Sequence, residues 1–206
     1  MEKPAQTLLP LHSLIQRRWS PRAFSSRHLE PETLHTILEA ARWAASSFNE
    51  QPWRYIVATQ ENPAEFDRML QCLVERNQAW AKGAPVLMLS MAKQHFTHSG
   101  QENRAARHDV GASSATLTLQ ALELGVFVHQ MGGILPDKIR ETYQIPEEFE
   151  PVAALALGYP GDLESLPEQF RAAEEAARTR KPLSEIIFAS TWEQPATDEN
   201  PAPGAS

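Results

Sequence analysis

Residues 109–124 read DVGASSATLTLQALEL, and this stretch decides the fold. Apolar or small side chains stand at nearly every position, so the sequence predicts a helix that is buried almost all round. The run Gly111–Ala115 has side chains small enough for another backbone to approach closely. Gly125 ends the predicted helix, and a short strand is expected to follow at 126–129.

Helix and strand patterns interleave on both sides of this helix. Pro31 opens a helical pattern in the first-turn position that proline favours, and apolar residues then recur at helical spacing. Further helices are expected over 136–143 and 167–178. Further strands are expected where apolar residues run together, at 55–59, 86–91, 152–157 and 185–188. Helices and strands in this order predict a helix-covered sheet.

The composition is that of an ordinary globular protein, with 42% hydrophobic and 22% charged residues. Residues 194–206 lack apolar side chains able to pack, so we expect one domain over 1–193 and a disordered tail over 194–206. Cys72 is the single cysteine, which excludes an intrachain disulfide and a cysteine-only metal cluster. The sequence has neither a long apolar run nor the features of a signal peptide, so no membrane contact and a cytoplasmic location are expected.

The charges are unevenly distributed. A net charge of −7 argues against nucleic-acid binding, which requires dense lysine and arginine. Basic residues nevertheless cluster near both ends, at Arg17, Arg18, Arg22 and Arg27 and at Arg171, Arg178, Arg180 and Lys181. Two interpretations stay open from charge alone: both clusters serve one small anion, or both are solvated faces.

Several familiar sites are absent from the sequence. The glycines form neither a dinucleotide-binding G-x-G-x-x-G nor a phosphate-binding Walker loop, and there is no G-x-S-x-G elbow. His95 and His98 lie in a polar stretch without a carboxylate or thiolate at a regular ligand spacing. We therefore predict a solvated loop there and no metal site.

Two segments carry a notable set of polar groups. In RRWSPRAF (17–24), Arg18, Ser20 and Arg22 alternate, which would place two guanidinium groups and a hydroxyl on one side to bind a phosphate ester. The alternative is a basic helix end. The segment AASSFNEQPW (44–53) concentrates hydroxyl and amide groups that pair with a polar heterocycle. Its alternative is an ordinary helix end before Pro52.

Six segments, in this order and spacing, resemble the nitroreductase family. They are RRWSPRAF, AASSFNEQPWRY, NQAWAKGAPVLML, HDVGASSATLTLQALELG, HQMGG and RTRKPLSEIIF. The resemblance runs from about Leu14 to Phe188, and the combination is specific although each segment alone would be weak. It implies an α+β fold, a three-layer α-β-α sandwich whose mixed, mainly antiparallel sheet is flanked by helices, in an intertwined homodimer.

The resemblance also implies FMN held at the dimer interface. The positions that match the family's cofactor-binding residues are Arg18, Trp19, Ser20, Arg22, Ser46, Ser47, Asn49, Asn77, Asp109, Gln130, Met131, Gly132, Gly133, Arg178 and Arg180. Residues 18–22 match the stretch that reaches the phosphate and the pyrimidine edge, and 46–49 match the stretch supplied by the partner subunit. Residues 130–133 match the segment beside the isoalloxazine, where a backbone N–H near Gly132 or Gly133 is expected to bond N5. Arg178 and Arg180 match a basic pair that closes over the phosphate.

The activity implied is that of an FMN-dependent oxidoreductase. Electrons would pass from NAD(P)H to a nitroaromatic, quinone or related small acceptor in a ping-pong cycle, with the chemistry on the flavin and no catalytic side chain. The alternatives are other flavin chemistry, such as reductive dehalogenation or flavin fragmentation, and a non-enzymatic flavin-binding protein. Residues 93–107 match no family motif, and we expect them to cover the active site and set acceptor choice.

Overall fold

The computed structural model describes residues 3–195. The chain divides into two compact units, with the boundary between Ala176 and Ala177. The expectation of one domain over 1–193 stays a prediction. The predicted disordered tail lies, from residue 196 onward, outside the described residues. Among the helices of residues 3–195, none is long and apolar enough to cross a membrane.

The first unit contains seven α-helices and four β-strands. The helices are α1 (Ser13–Arg17), α2 (Pro31–Arg42), α3 (Pro63–Leu70), α4 (Glu75–Ala81), α5 (Ala106–Glu123), α6 (Pro136–Tyr143) and α7 (Glu168–Glu175). The strands are β1 (Trp53–Thr59), β2 (Val86–Lys93), β3 (Phe127–Met131) and β4 (Phe149–Gly158). The described part of the second unit, residues 177–195, contains a 3₁₀ turn, Leu183–Glu185.

The strands form one sheet in the order β1-β2-β4-β3. Each neighbouring pair within the described residues is antiparallel, with Val57 opposite Met88 and Met88 opposite Leu155. The register of β2 and β4 shifts between Ser90 and Met91, which marks a bulge. Seven of the eight residues of β2 are buried, as expected for a central strand covered on both faces.

Side-chain alternation along β2 divides the core into two layers. Met88 packs on the face covered by α2 and α5, in one apolar cluster with Ile37 and Leu117. Leu87 and Leu89 belong to the other cluster, whose members include Phe66 of α3, Trp80 of α4, Ile139 of α6 and Phe170 of α7. Because successive strand residues point to opposite faces, one strand contributes to both layers. The α+β, three-layer architecture is therefore confirmed.

The predicted strand at 185–188 is wrong. Residues 183–185 form a 3₁₀ turn, and Phe188 makes only an isolated bridge to Pro195. The other predicted strands and helices occur. The helix at 136–143 has the predicted ends, whereas α5 begins three residues earlier than predicted, at Ala106.

Candidate functional site

Arg18 and Ser20 line one cavity, as the alternation in the sequence predicted for these two residues. The Nη1 of Arg18 donates to the Oγ of Ser20 at 3.3 Å. The cavity has a volume of about 400 Å³ and also contains Gln130 from β3. The remaining wall is largely apolar and consists of Ile15, Ala115, Thr118, Leu119 and Val128. A guanidinium, a hydroxyl and an amide thus line the same cavity as these mostly apolar side chains.

Gln130 is fixed at the edge of this cavity by α5. Its Nε2 donates to the backbone oxygen of Ser114 and to the hydroxyl of Thr118, both at 3.1 Å. The side chain therefore links β3 to the long helix. Its orientation is set by these two bonds before any ligand binds.

Arg22 and Trp19 point away from the cavity. The guanidinium of Arg22 lies 3.7 Å from the carboxylate of Glu174 and 6.0 Å from the ring centre of Trp80. Arg22 lines a different cavity, of about 350 Å³. Trp19 is 7% exposed, and its ring meets Phe127 edge-on. The structure thus brings together two of the three alternating polar residues and places Arg22 elsewhere.

The loop 46–51 has an unusual backbone. Phe48, Asn49 and Gln51 have φ angles of 51°, 54° and 52°, a region that residues with side chains rarely adopt. Ser46 Oγ accepts from the N–H of Gln51 at 3.0 Å. Such conformations persist where the surroundings over-determine them, commonly at functional sites.

Asp109 holds this loop to the start of α5. Its carboxylate accepts from the N–H of Ser47 at 3.0 Å and is 5% exposed as a side chain. Asn49 Oδ1 accepts from the side-chain amide of Gln51 at 3.3 Å. None of these residues lines the cavity that contains Arg18 and Ser20. In one chain, the two groups of expected cofactor residues therefore occupy different places along α5.

Asn77 fixes the backbone at the end of β3. Its Nδ2 donates to the oxygen of Gly133 at 3.1 Å, and the N–H of Val74 donates to the same oxygen at 3.0 Å. A Cβ at Gly133 would lie 2.5 Å from that Nδ2, so only glycine fits. Met131 has its side chain in the core, whereas Gly132 is exposed. The expected N5 contact would therefore have to come from backbone held rigidly against α4.

The second unit contains Arg178 and Arg180. The Nη1 of Arg180 donates to the backbone oxygen of Thr179 at 2.6 Å. Partial burial and the nearby positive charge of Arg180 both lower the pKa of Arg178. The expected closure over a phosphate stays a prediction.

Two residues behind the 18–22 segment were missed by sequence reasoning. His129 Nδ1 lies 2.9 Å from the backbone oxygen of Pro21, and its ring centre lies 4.5 Å from that of Trp80. Burial lowers the pKa of His129 to about 4, so the ring is neutral at pH 7 and its Nδ1–H donates to Pro21. The other residue is Glu174, which stands in an Ala/Glu/Arg-rich helix with no local pattern to distinguish it.

The fold and these contacts define an α+β protein with a cavity that brings a guanidinium, a hydroxyl and an amide together with apolar side chains. Residues 15–159 match the model of the Nitroreductase family, which is more than half of the chain. The chain belongs to the nitroreductase family.

Individual relatives agree with this assignment. A crystal structure described as an oxidoreductase containing FMN is 37% identical, covers 91% of this chain and 95% of its own, and has a TM-score of 0.85. The FMN reductase [NAD(P)H] of Bacillus subtilis is 25% identical over 169 residues, 74% of this chain and 66% of the relative. The 5,6-dimethylbenzimidazole synthase of Rhodospirillum rubrum is 26% identical over 191 residues, 82% of this chain and 90% of the relative.

Proposed function

We propose that this protein is an FMN-dependent oxidoreductase that takes electrons from NAD(P)H and passes them to nitroaromatics, quinones or related small organic acceptors. The cavity of Arg18, Ser20 and Gln130 carries the proposal. Its volume of about 400 Å³ falls within the range of roughly 300–1,000 Å³ typical of ligand pockets. Arg18 has the charge for a phosphate or the pyrimidine edge of a flavin, and the apolar side chains of the cavity suit a flat ring.

The residues present fit this cofactor. Arg18 would supply a charge-assisted bond and Ser20 a second donor. Asn77 holds the 132–133 backbone in place, and an exposed Gly132 leaves space for a ring to approach. Bound FMN would supply the redox chemistry, accepting hydride from the nicotinamide and returning electrons to the acceptor. The protein would bind, orient and shield the reacting rings, and no side chain is required as acid or base.

A homodimer is part of the proposal. Helix α5 is apolar or small nearly all round, yet Gly111 and Ala115 are exposed in the single chain. A Cβ built at Gly111 would meet nothing within 4 Å, and Ile15 of the neighbouring α1 is 48% exposed. A helix without a polar face is normally covered. We propose that a second copy covers this face, and that its 46–51 loop completes the cavity of Arg18 and Ser20.

A spectroscopic titration tests the redox proposal. The purified protein is expected to be yellow and to release FMN rather than FAD on denaturation. NADH or NADPH added without oxygen should bleach the flavin absorbance, and a nitroaromatic or quinone should restore it. A colourless protein that takes up no FMN from solution would contradict the proposal.

Other flavin chemistry is the second candidate. It is favoured by the match to a protein named as a synthase rather than a reductase, over 82% of this chain. Incubation of the FMN-loaded protein with reduced flavin and oxygen, without a nicotinamide, separates the two candidates. Loss of FMN into smaller products would favour flavin fragmentation, whereas intact FMN together with nicotinamide-dependent turnover supports the reductase.

A further inference from the structure

Glu174 is a buried carboxylate that acts on a distant part of the chain. It lies on α7 and is 2% exposed. Its Oε1 accepts from the backbone N–H groups of Arg22 at 2.8 Å and Ala23 at 3.1 Å. Its Oε2 lies 3.7 Å from the Nη1 of Arg22. Burying a carboxylate is costly unless it is hydrogen-bonded and paired, and Glu174 has both kinds of partner on one short segment.

Two orphaned polar atoms lie beside this contact. The Oε2 of Glu174 and the Nε1 of Trp19 are both buried, and neither has a hydrogen-bond partner among the described residues. Buried polar atoms in native proteins nearly always have such a partner. Both residues line the same small cavity, of about 20 Å³. One water molecule needs a cavity volume of about 10–15 Å³, so this cavity has room for one water.

Glycine closes the wall of this small cavity. The N–H of Gly161 donates to the backbone oxygen of Ala23 at 2.9 Å. A Cβ at Gly161 would lie 2.4 Å from the backbone of Phe24, so the two segments approach as closely as backbone allows. Phe24 also bridges Pro160. Residues 160 and 161 therefore hold the 19–24 segment in place beside the small cavity.

We propose that Glu174 is a positioning residue for the cofactor site, and that it shares one buried water with Trp19. The water would accept from the Nε1–H of Trp19 and donate to Oε2 of Glu174. Trp19 stands between Arg18 and Ser20 in the chain and points inward, while these two face the 400 Å³ cavity. Holding Trp19 and the N–H of Arg22 fixes the placement of Arg18 and Ser20. The inference rests on the proposed function, because the ligand so positioned is FMN.

Glu174 also determines the position of the Arg22 guanidinium. Its charge holds the guanidinium of Arg22 away from the cavity of Arg18. Replacement by leucine would release that guanidinium and leave the N–H groups of Arg22 and Ala23 without an acceptor. Replacement by glutamine keeps an oxygen for both N–H groups. Both variants lose the negative charge and only Glu174→Gln keeps an acceptor, so the pair separates the effect of the acceptor from that of the charge.

Flavin titration of these variants tests the positioning role. Glu174→Leu is expected to weaken FMN binding by about 10-fold or more, and Glu174→Gln to restore most of the affinity. Glu175→Leu, at the exposed neighbouring position, is the matched control and should bind FMN as the wild type does. Unchanged affinity in Glu174→Leu would overturn the positioning role. If the wild type binds no FMN, the proposed function fails instead.

A crystal structure of the FMN-bound protein tests the water, and remains decisive if Glu174→Leu does not fold. One ordered water within hydrogen-bond distance of Trp19 Nε1 and Glu174 Oε2 is expected. Trp19→Phe, which removes the Nε1–H donor and leaves a smaller aromatic ring, should lose that water and weaken FMN binding by a few-fold to about 10-fold. A direct bond between the two side chains, or a dry cavity, would overturn the water-mediated link.

Discussion

Both carboxylate oxygens of Glu50 lie 2.9 Å from the backbone nitrogen of Thr97. The contact ties the strained loop 46–51 to the segment that follows β2. The hydroxyl of Thr97 also donates to Glu50, and Lys93 Nζ lies 3.7 Å from the carboxylate. The segment expected to set acceptor choice is thus physically joined to the loop expected to complete the cofactor site.

This contact predicts a linked effect of replacing Glu50. The hydrogen bond from the Thr97 side chain is the main cause that lowers the pKa of Glu50. A carboxylate with a lowered folded-state pKa stabilises the protein above its unfolded pKa and loses that effect as the pH falls through the folded value. At pH 7, Glu50→Ala should lower the free energy of unfolding by about 1–3 kcal/mol.

The kinetic signature of Glu50→Ala should be selective. Because the loop 46–51 and the 93–97 segment lose their hydrogen bonds through Glu50 and keep only contacts such as that of Phe48 with Phe96, we expect KM for the acceptor to rise more than the Kd for FMN. Glu147→Ala, at an exposed turn position, serves as the control and should change neither. Urea unfolding at pH 7 and steady-state kinetics measure the two effects. A stable variant with wild-type acceptor KM would refute the coupling.

The anion site predicts a contrast between adjacent arginines. Arg18→Ala removes a charge-assisted bond to the cofactor and should weaken FMN binding by about 10- to 100-fold. Arg17→Ala, at the exposed last residue of α1, should leave the affinity unchanged. Arg180→Ala tests the predicted C-terminal contact in the same titration. Equal affinities for Arg18→Ala, Arg180→Ala and wild type would show that the phosphate binds elsewhere.

His129 predicts a pH-dependent stability. Burial lowers its pKa to about 4, against an unfolded value near 6.5, so the unfolded chain binds a proton that the folded chain does not. Its stabilising effect is complete above about pH 6.5 and declines until about pH 4, by roughly 3 kcal/mol in total. Relative to His129→Gln, the wild type should therefore lose about that advantage between pH 7 and pH 4. His35→Gln, at an exposed position on α2, is the matched control substitution.

Local patterns were sufficient for most of the fold. The apolar run of β2 predicted a strand and the small-residue run of α5 predicted a helix. Both elements are buried on more than one side, so apolar or small residues follow one another without interruption in the sequence. Helices α1, α3 and α4 were missed, although α3 has a capping Asn62 and Pro63 in its first turn. The prediction of a strand at 185–188 was wrong because an apolar run forms a strand only where a neighbouring strand is available to pair with it.

The candidate site was less predictable than the fold. Motifs identified Arg18 and Ser20, and the structure places them together. Glu174, however, contacts Arg22 across 152 residues, and Glu50 contacts Thr97 across 47 residues. The sequence around a single glutamate does not indicate a partner so far away in the chain. The orientation of Arg22 could not be predicted from the sequence either. Its side chain departs from the alternation of residues 18 and 20 because it pairs with Glu174.

The dimer is tested at Gly111. A side chain at this position meets nothing within 4 Å in the single chain, so substitution should leave the folded subunit intact. Gly111→Arg would obstruct close packing of a second copy and should yield a monomer with weakened FMN binding. Gly111→Ala keeps the surface small and should remain a dimer, with stability raised by up to about 1 kcal/mol from helix propensity. Light scattering at micromolar concentration measures the mass of each variant. A Gly111→Arg protein that is dimeric and has normal flavin content would show that the dimer interface lies on another face.

The last prediction concerns the order of events in turnover. The sequence contains no separate dinucleotide-binding motif, so the nicotinamide and the acceptor are expected to use the same space above the cofactor. The two cannot then bind productively together, and the oxidised nicotinamide must leave before the acceptor enters. Double-reciprocal plots at several acceptor concentrations should therefore be parallel, the kinetic signature of a ping-pong scheme. Substitutions in 93–107 should change the preference among acceptors more than the affinity for FMN. Intersecting plots would mean that donor and acceptor occupy separate places, and would refute the shared cavity even for a protein that holds FMN.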